Sequence, residues 1–133
     1  MGQYHLIVNL DRQEFIDPHK LGVGLKAWEQ IANHPSTPQA LFVLLLCSNG
    51  RGGGDLADGT EPCREKVIGR WAGDRIAVIG DYAEDGDLAG DTPDPASAIY
   101  ELCQSGVYRD LSALVRRCWQ LNLALSMLPN PGR

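Results

Sequence analysis

The sequence predicts an α+β fold: a small antiparallel or mixed sheet, made of N-terminal strands and a central hairpin, covered by three to four helices. Three patterns carry that expectation. Tyr4, Leu6, Val8 and Leu10 alternate with Gln3, His5, Ile7 and Asn9, the period of two of a strand with one face buried more deeply than the other. The stretch KVIGRWAGDRIAVIGDY reads as strands at Val67 to Trp71 and Arg75 to Gly80, joined at Ala72-Gly73-Asp74, where glycine supplies the positive φ of a tight turn. Leu111, Leu114, Val115, Cys118, Leu121 and Leu125 recur at helical spacing. With 133 residues, 44% of them hydrophobic, the chain is long enough for one sizeable core. The expected organisation is a single domain over 1–128 and a C-terminal tail over 129–133.

After the first strand, Asp11-Arg12 is the expected turn into a short second strand, Gln13 to Ile16. Asp17-Pro18 closes that strand, with Asp17 as a helix cap. His19 to His34 carries Leu21, Leu25, Trp28, Ile31 and Ala32 on one helical stripe, which Pro35 ends. Thr37-Pro38 then starts the next helix, because proline fits the first helical position, where its missing N–H costs nothing. The following residues, ALFVLLLCS, are apolar all round. Their leucines and alanine favour helix over strand. Further on, Asp94-Pro95 repeats the cap-proline signal and opens a helix through Gln104, which Gly106 terminates. The last helix runs from about Asp110 to Met127, with Arg116 and Arg117 off its apolar stripe.

Composition excludes some functions. A net charge of -5 argues against a general nucleic-acid binder, which needs a basic surface to displace counterions. No apolar run is long enough to cross a membrane, and the start MGQYHLIVNLD lacks the basic residues and cleavage site of a signal peptide. The expected location is cytoplasmic. Cys47, Cys63, Cys103 and Cys118 show no CxxC spacing, so free thiols are expected.

The residues from Asn49 to Asp94 bring glycine-rich, basic and acidic chemistry together. NGRGGGD has glycines that let backbone amides converge on an anion beside Arg51, although neither GxxxxGK[ST] nor GxGxxG is present; the competing reading is a simple connection. Asp81, Glu84, Asp85, Asp87, Asp91 and Asp94 form an acidic run, with no Lys, Arg or His between Ile76 and Tyr108. Asp85-Gly86-Asp87 faintly resembles a calcium loop, but Ala89 and Ala96 stand where ligands belong. A solvated acidic loop accounts for the same residues. His5, His19 and His34 share no metal spacing, and neither GxSxG nor HExxH occurs.

The expected binding surface comprises Arg51, Asp55, Arg70, Trp71, Arg75, Asp81, Tyr82, Asp85, Asp87 and Asp91. No metal ligand set, cofactor or catalytic residue is assigned. The expected function is a noncatalytic binding or interaction protein that engages a protein partner or itself. The alternative is a small metal-dependent enzyme on a phosphorylated or nucleotide substrate, with Asp81 and Asp85 or Asp87 holding the ion and Arg51 meeting phosphate.

Overall fold

The computed structural model describes residues 3–21, 37–49, 56 and 66–126. The expected helix beyond Leu21, the glycine-rich loop with Arg51 and Asp55, Cys63 and the C-terminal tail lie outside the described residues. Among the described residues the fold is α+β, with four strands: β1 (His5–Asn9), β2 (Glu14–Ile16), β3 (Ile76–Gly80) and β4 (Arg109–Asp110). They form a mixed sheet in the order β3-β1-β2-β4, in which β1 runs antiparallel to β2 and β3 while β2 and β4 are parallel. The helices are α1 (Pro18–Leu21), α2 (Thr37–Leu45), α3 (Ala96–Gln104) and α4 (Ser112–Ser126).

Both sheet faces are covered, which is more than the alternation in β1 implied. On one face Leu6, Val8, Phe15 and Ile79 pack with Ile99 and Cys103 of α3 and with Tyr108. On the other, Ile7 and Ile16 pack with Leu21 of α1, Ala40 and Leu44 of α2, and Leu111, Leu114, Val115 and Cys118 around α4. Ile7 therefore belongs to a core as fully as Val8 does. The β1–β2 turn is pinned by a buried Asn9, whose Oδ1 accepts the Asp11 and Arg12 amides at 2.9 and 2.8 Å and whose Nδ2 donates to Asp74 at 3.0 Å. That side chain satisfies donors the turn would otherwise leave open.

The hairpin expectation needs correction. Residues 68–73 are turn, not strand, and only the second arm enters the sheet, as β3. Gly69 and Gly73 have φ of 75° and 84°, a conformation that breaks a strand. The segment instead closes the end of α2: Gly69 N donates to Val43 O at 2.9 Å and Trp71 N to Leu44 O at 2.8 Å. These bonds occupy carbonyls that a helix end cannot satisfy internally. Trp71, expected beside a surface turn, is fully buried against that helix end.

The start of α3 also departs from expectation. Asp94 does not cap it, and Pro95 at the cap position makes no side-chain bond. The Asp85 carboxylate reaches back instead, accepting the Ser97 amide at 3.3 Å and the Ser97 hydroxyl. Asp94 accepts the buried Tyr108 hydroxyl at 2.6 Å. At the other end of α3, Gly106 adopts a φ of 86° and Val107 N turns back to Leu102 O at 3.0 Å, as its sequence position predicts. No helix among the described residues is long and apolar enough to cross a membrane.

Candidate functional site

The expected surface residues separate into three groups. Arg70 and Trp71 face inward. Arg70 Nη2 lies 2.6 Å from Glu14 Oε2, Trp71 Nε1 donates to Glu14 Oε1 at 3.1 Å, and the Arg70 and Glu14 side chains are 10% and 8% exposed. Burial alone would raise the Glu14 carboxyl, but the bonds from Arg70 and Trp71 outweigh it and hold the group below its ordinary value. This is a sealed structural cluster.

Arg75 and part of the acidic run form the second group. Arg75 donates from its amide to Asp11 Oδ2 at 2.7 Å, from Nε to Asp11 Oδ1 at 2.9 Å, and from Nη1 to the Asp91 carbonyl at 2.6 Å. The Arg75 backbone bond first, and its side-chain bond next, lower the Asp11 carboxyl. Asp87 Oδ2 accepts the Glu84 amide at 2.9 Å. Asp85 and Asp94 thus tie the acidic run back to α3 and Tyr108, Asp87 closes a turn within the run, and the Asp91 carboxylate makes no hydrogen bond among the described residues.

Asp81 and Tyr82 belong to the third group, at the end of β3. The Asp81 amide donates to Tyr4 O at 3.0 Å, and the Tyr4 amide donates back to Asp81 Oδ1 at 3.1 Å. This reciprocal pair extends the β1–β3 ladder by one step and fixes the carboxylate. Tyr4 and Tyr82 are 57% and 62% exposed, and Val78, three residues back along β3, is 61% exposed. Tyr100 lies near enough that Asp81, after burial itself, raises its hydroxyl above the ordinary value. A fixed carboxylate whose paired residue and chain neighbour are both exposed tyrosines suits a cationic side chain that pairs with the charge, while the Tyr4 ring itself meets His19 edge-on with centroids 5.9 Å apart.

Sequence reasoning missed a charged cleft on the opposite edge of the sheet. A space of about 490 Å³ is lined by residues that include Asp17, Lys20, Cys103, Gln104, Arg109 and Asp110. A second, of about 600 Å³, shares Lys20 and Asp110 and adds His19, Ser112 and Arg116. Between them Lys20 Nζ donates to Asp110 Oδ2 at 2.7 Å, Asp110 Oδ1 accepts the Ser112 amide at 2.9 Å, and Ser112 Oγ accepts the Asp17 amide at 2.9 Å. Burial pushes Asp110 up, but Lys20 and Ser112 more than reverse it and hold the carboxyl low. These bonds fasten α1 to the start of α4. The available sequence signal was Asp110 two residues before a helix, which marks a cap and says nothing of Lys20, 90 positions away.

None of this assembles a nucleophile beside its base. Burial first, with Asp110 adding to it, pushes the Cys103 thiol up to about 12, so it stays protonated near neutral pH. Among the described residues no group of three or more His, Cys, Asp or Glu side chains is placed to hold a metal ion. Around the glycine-rich loop, the Asn49 side chain donates to Leu56 O at 2.8 Å and accepts the Leu56 amide at 2.9 Å, joining positions on either side of it. Compared with protein families, curated proteins and solved structures, the chain matches none.

Proposed function

We propose that this chain is a noncatalytic interaction protein whose docking surface is the β3 end of the sheet together with the acidic run that follows it. One observation carries the reading: reciprocal bonds with Tyr4 hold the Asp81 carboxylate at the end of β3, and its paired residue Tyr4 and its chain neighbour Tyr82 are both exposed. Tyrosine gives large contact area at low conformational cost and is enriched in interface cores. The nearby carboxylates of Glu84 and Asp91 are exposed and give the surface a negative rim. The partner chemistry this favours is a basic protein segment that presents Arg or Lys to Asp81. The metal-dependent alternative, with Asp81 and Asp85 or Asp87 as ligands, has less support, because each of these carboxylates accepts an internal hydrogen bond.

The test is affinity capture from native lysate with the full chain as bait, comparing the parent with Asp81→Asn combined with Tyr82→Ala. A control at another exposed apolar position, Phe42→Ser, accompanies them. The expected result is a partner retained by the parent and the control and lost by the double variant. Retention by all three places the interface elsewhere and removes the proposal.

A further inference from the structure

We infer that the outer edge of β3 pairs antiparallel with the β3 of a second copy, in the register that sets Val78 opposite Val78 across a two-fold axis. The inference rests on the reading of this chain as an interaction protein and narrows it to one partner.

The geometry begins with the β1 ladder. Leu10 N bonds Arg75 O at 2.9 Å and Asp81 N bonds Tyr4 O at 3.0 Å, so the odd-numbered residues from Arg75 to Asp81 turn their backbone groups toward β1. The even-numbered residues Ile76, Val78 and Gly80 therefore turn theirs outward. Among the described residues nothing takes up the outward amide or carbonyl of Ile76 or Val78, while Gly80 O also accepts the Ala83 amide at 3.1 Å. The strand IAVIG contains no charge and no proline, the usual guards against edge pairing.

Only certain registers let outward groups meet outward groups. With Val78 opposite Val78 of the second copy, Ile76 falls opposite Gly80, and every one of these pairs joins residues whose amides and carbonyls face across the interface. That same register sets Arg75 opposite Asp81 of the second copy at both ends. The neighbouring allowed two-fold registers set Arg75 opposite Ile79 or Ala83, and the charges do not meet. Arg75 has about half its side chain exposed, at 51%, and Asp81 Oδ2 takes no hydrogen bond among the described residues. Such rim charges fix register and speed association more than they add affinity. The exposed Val78 side chains then meet at the axis, on one face of the extended sheet.

Sedimentation velocity on the full chain should give twice the 14.5 kDa chain mass. Val78→Pro should be monomeric with an unchanged circular dichroism spectrum, because it removes an outward N–H and leaves the β1 ladder intact. If that variant unfolds, Val78→Lys provides the same test through like charges facing each other at the axis. Val78→Cys should cross-link to itself under mild oxidation, since directly opposed positions have a Cα separation near 5.5 Å that suits a disulfide; Ala77→Cys and the parent should not. A dimer that survives Val78→Lys and fails to cross-link at Val78→Cys overturns the inference. A monomeric parent that still captures a basic partner through Asp81 overturns the dimer and leaves the interaction reading standing; a monomeric parent that captures nothing removes both.

Discussion

The Arg70 guanidinium holds the Glu14 carboxylate by both oxygens, with Nε at 3.0 and 3.1 Å and Nη2 at 2.6 Å, in a site almost closed to solvent. The two residues lie 56 positions apart, and their contact ties the edge of β2 to the segment that seals α2. A buried pair of this kind is worth little relative to a well-packed apolar substitute, but breaking it is expensive because one charge is left without a partner. Glu14→Ala should cost about 3–5 kcal/mol of unfolding free energy. Joint replacement by Glu14→Leu and Arg70→Met should cost clearly less, a difference that chemical denaturation of both variants measures.

The same pair sets part of the pH response. The Glu14 carboxyl is lowered in the folded chain from an ordinary value of 4.5, so its contribution is fully present above that value and disappears as pH falls through the lower folded value. Asp11 and Asp110 are lowered too and act in the same direction. The melting temperature should therefore fall as pH drops from about 5 to about 3. Glu14→Gln should show a smaller fall over that window, with the remainder assigned to the other two carboxylates. An equal slope for parent and variant would show that Glu14 does not titrate as the geometry requires.

Gly69 makes a sharper test of the turn that replaced the expected strand. A Cβ there would sit 2.7 Å from the Leu46 carbonyl oxygen, and the φ of 75° already disfavours any other residue. Gly69→Ala should destabilise by more than about 1 kcal/mol, the scale of the conformational term alone. Gly73→Ala is the comparison, because its φ is 84° but nothing lies within 4 Å of its added Cβ. The larger loss at Gly69 isolates the steric part, read as the difference in denaturation midpoints.

These two glycines also mark how far the sequence was legible. Elements with a local signal emerged near their expected places: β1 from alternation, α2 from Thr37-Pro38, α3 from Pro95 and Gly106, and α4 from its leucine stripe. Val67 to Trp71 misled because its apolar residues fit a strand, whereas the deciding interaction was with the carbonyls of Val43 and Leu44. β4 is only Arg109–Asp110, too short for any period to register. In the candidate site, the position of Asp81 at a strand end was readable, but its tie to Tyr4 spans 77 residues and was not. The assignments of Arg70 and Trp71 to an open surface ignored Glu14, whose buried carboxylate has no local signature.

Thiol reactivity should follow burial. Cys47 is exposed, whereas Cys103 and Cys118 are buried, and Cys103 is held protonated by burial and by Asp110. In the native protein near neutral pH a maleimide should label Cys47 within minutes and spare Cys103 and Cys118 until denaturant is added. Mass spectrometry of the labelled peptides checks this. Native labelling of Cys103 as fast as Cys47 would mean that the face packed by α3 opens readily.

The acidic run should divide into carboxylates that hold structure and carboxylates that meet a partner. Asp85 accepts both the amide and the hydroxyl of Ser97 and stands in for the absent cap of α3, so Asp85→Ala should cost about 0.5–2 kcal/mol, as the loss of a helix cap does. Asp85→Asn should cost less, because its amide oxygen still accepts the Ser97 amide. Asp91 holds Arg75 only through its backbone carbonyl, which side-chain substitution leaves in place. Asp91→Asn should therefore change stability by less than about 0.5 kcal/mol, as surface substitutions usually do. Its effect should appear in association: a basic partner should bind more slowly, with a flatter dependence on salt, because a rim charge acts chiefly by steering. Stopped-flow association at several ionic strengths, beside denaturation of each variant, separates the two roles. Should Asp91→Asn unfold the chain while Asp85→Ala leaves it intact, the division is inverted and the acidic run is anchored differently; should neither affect partner binding, the docking surface must be drawn without these carboxylates, around Asp81 and its tyrosines alone.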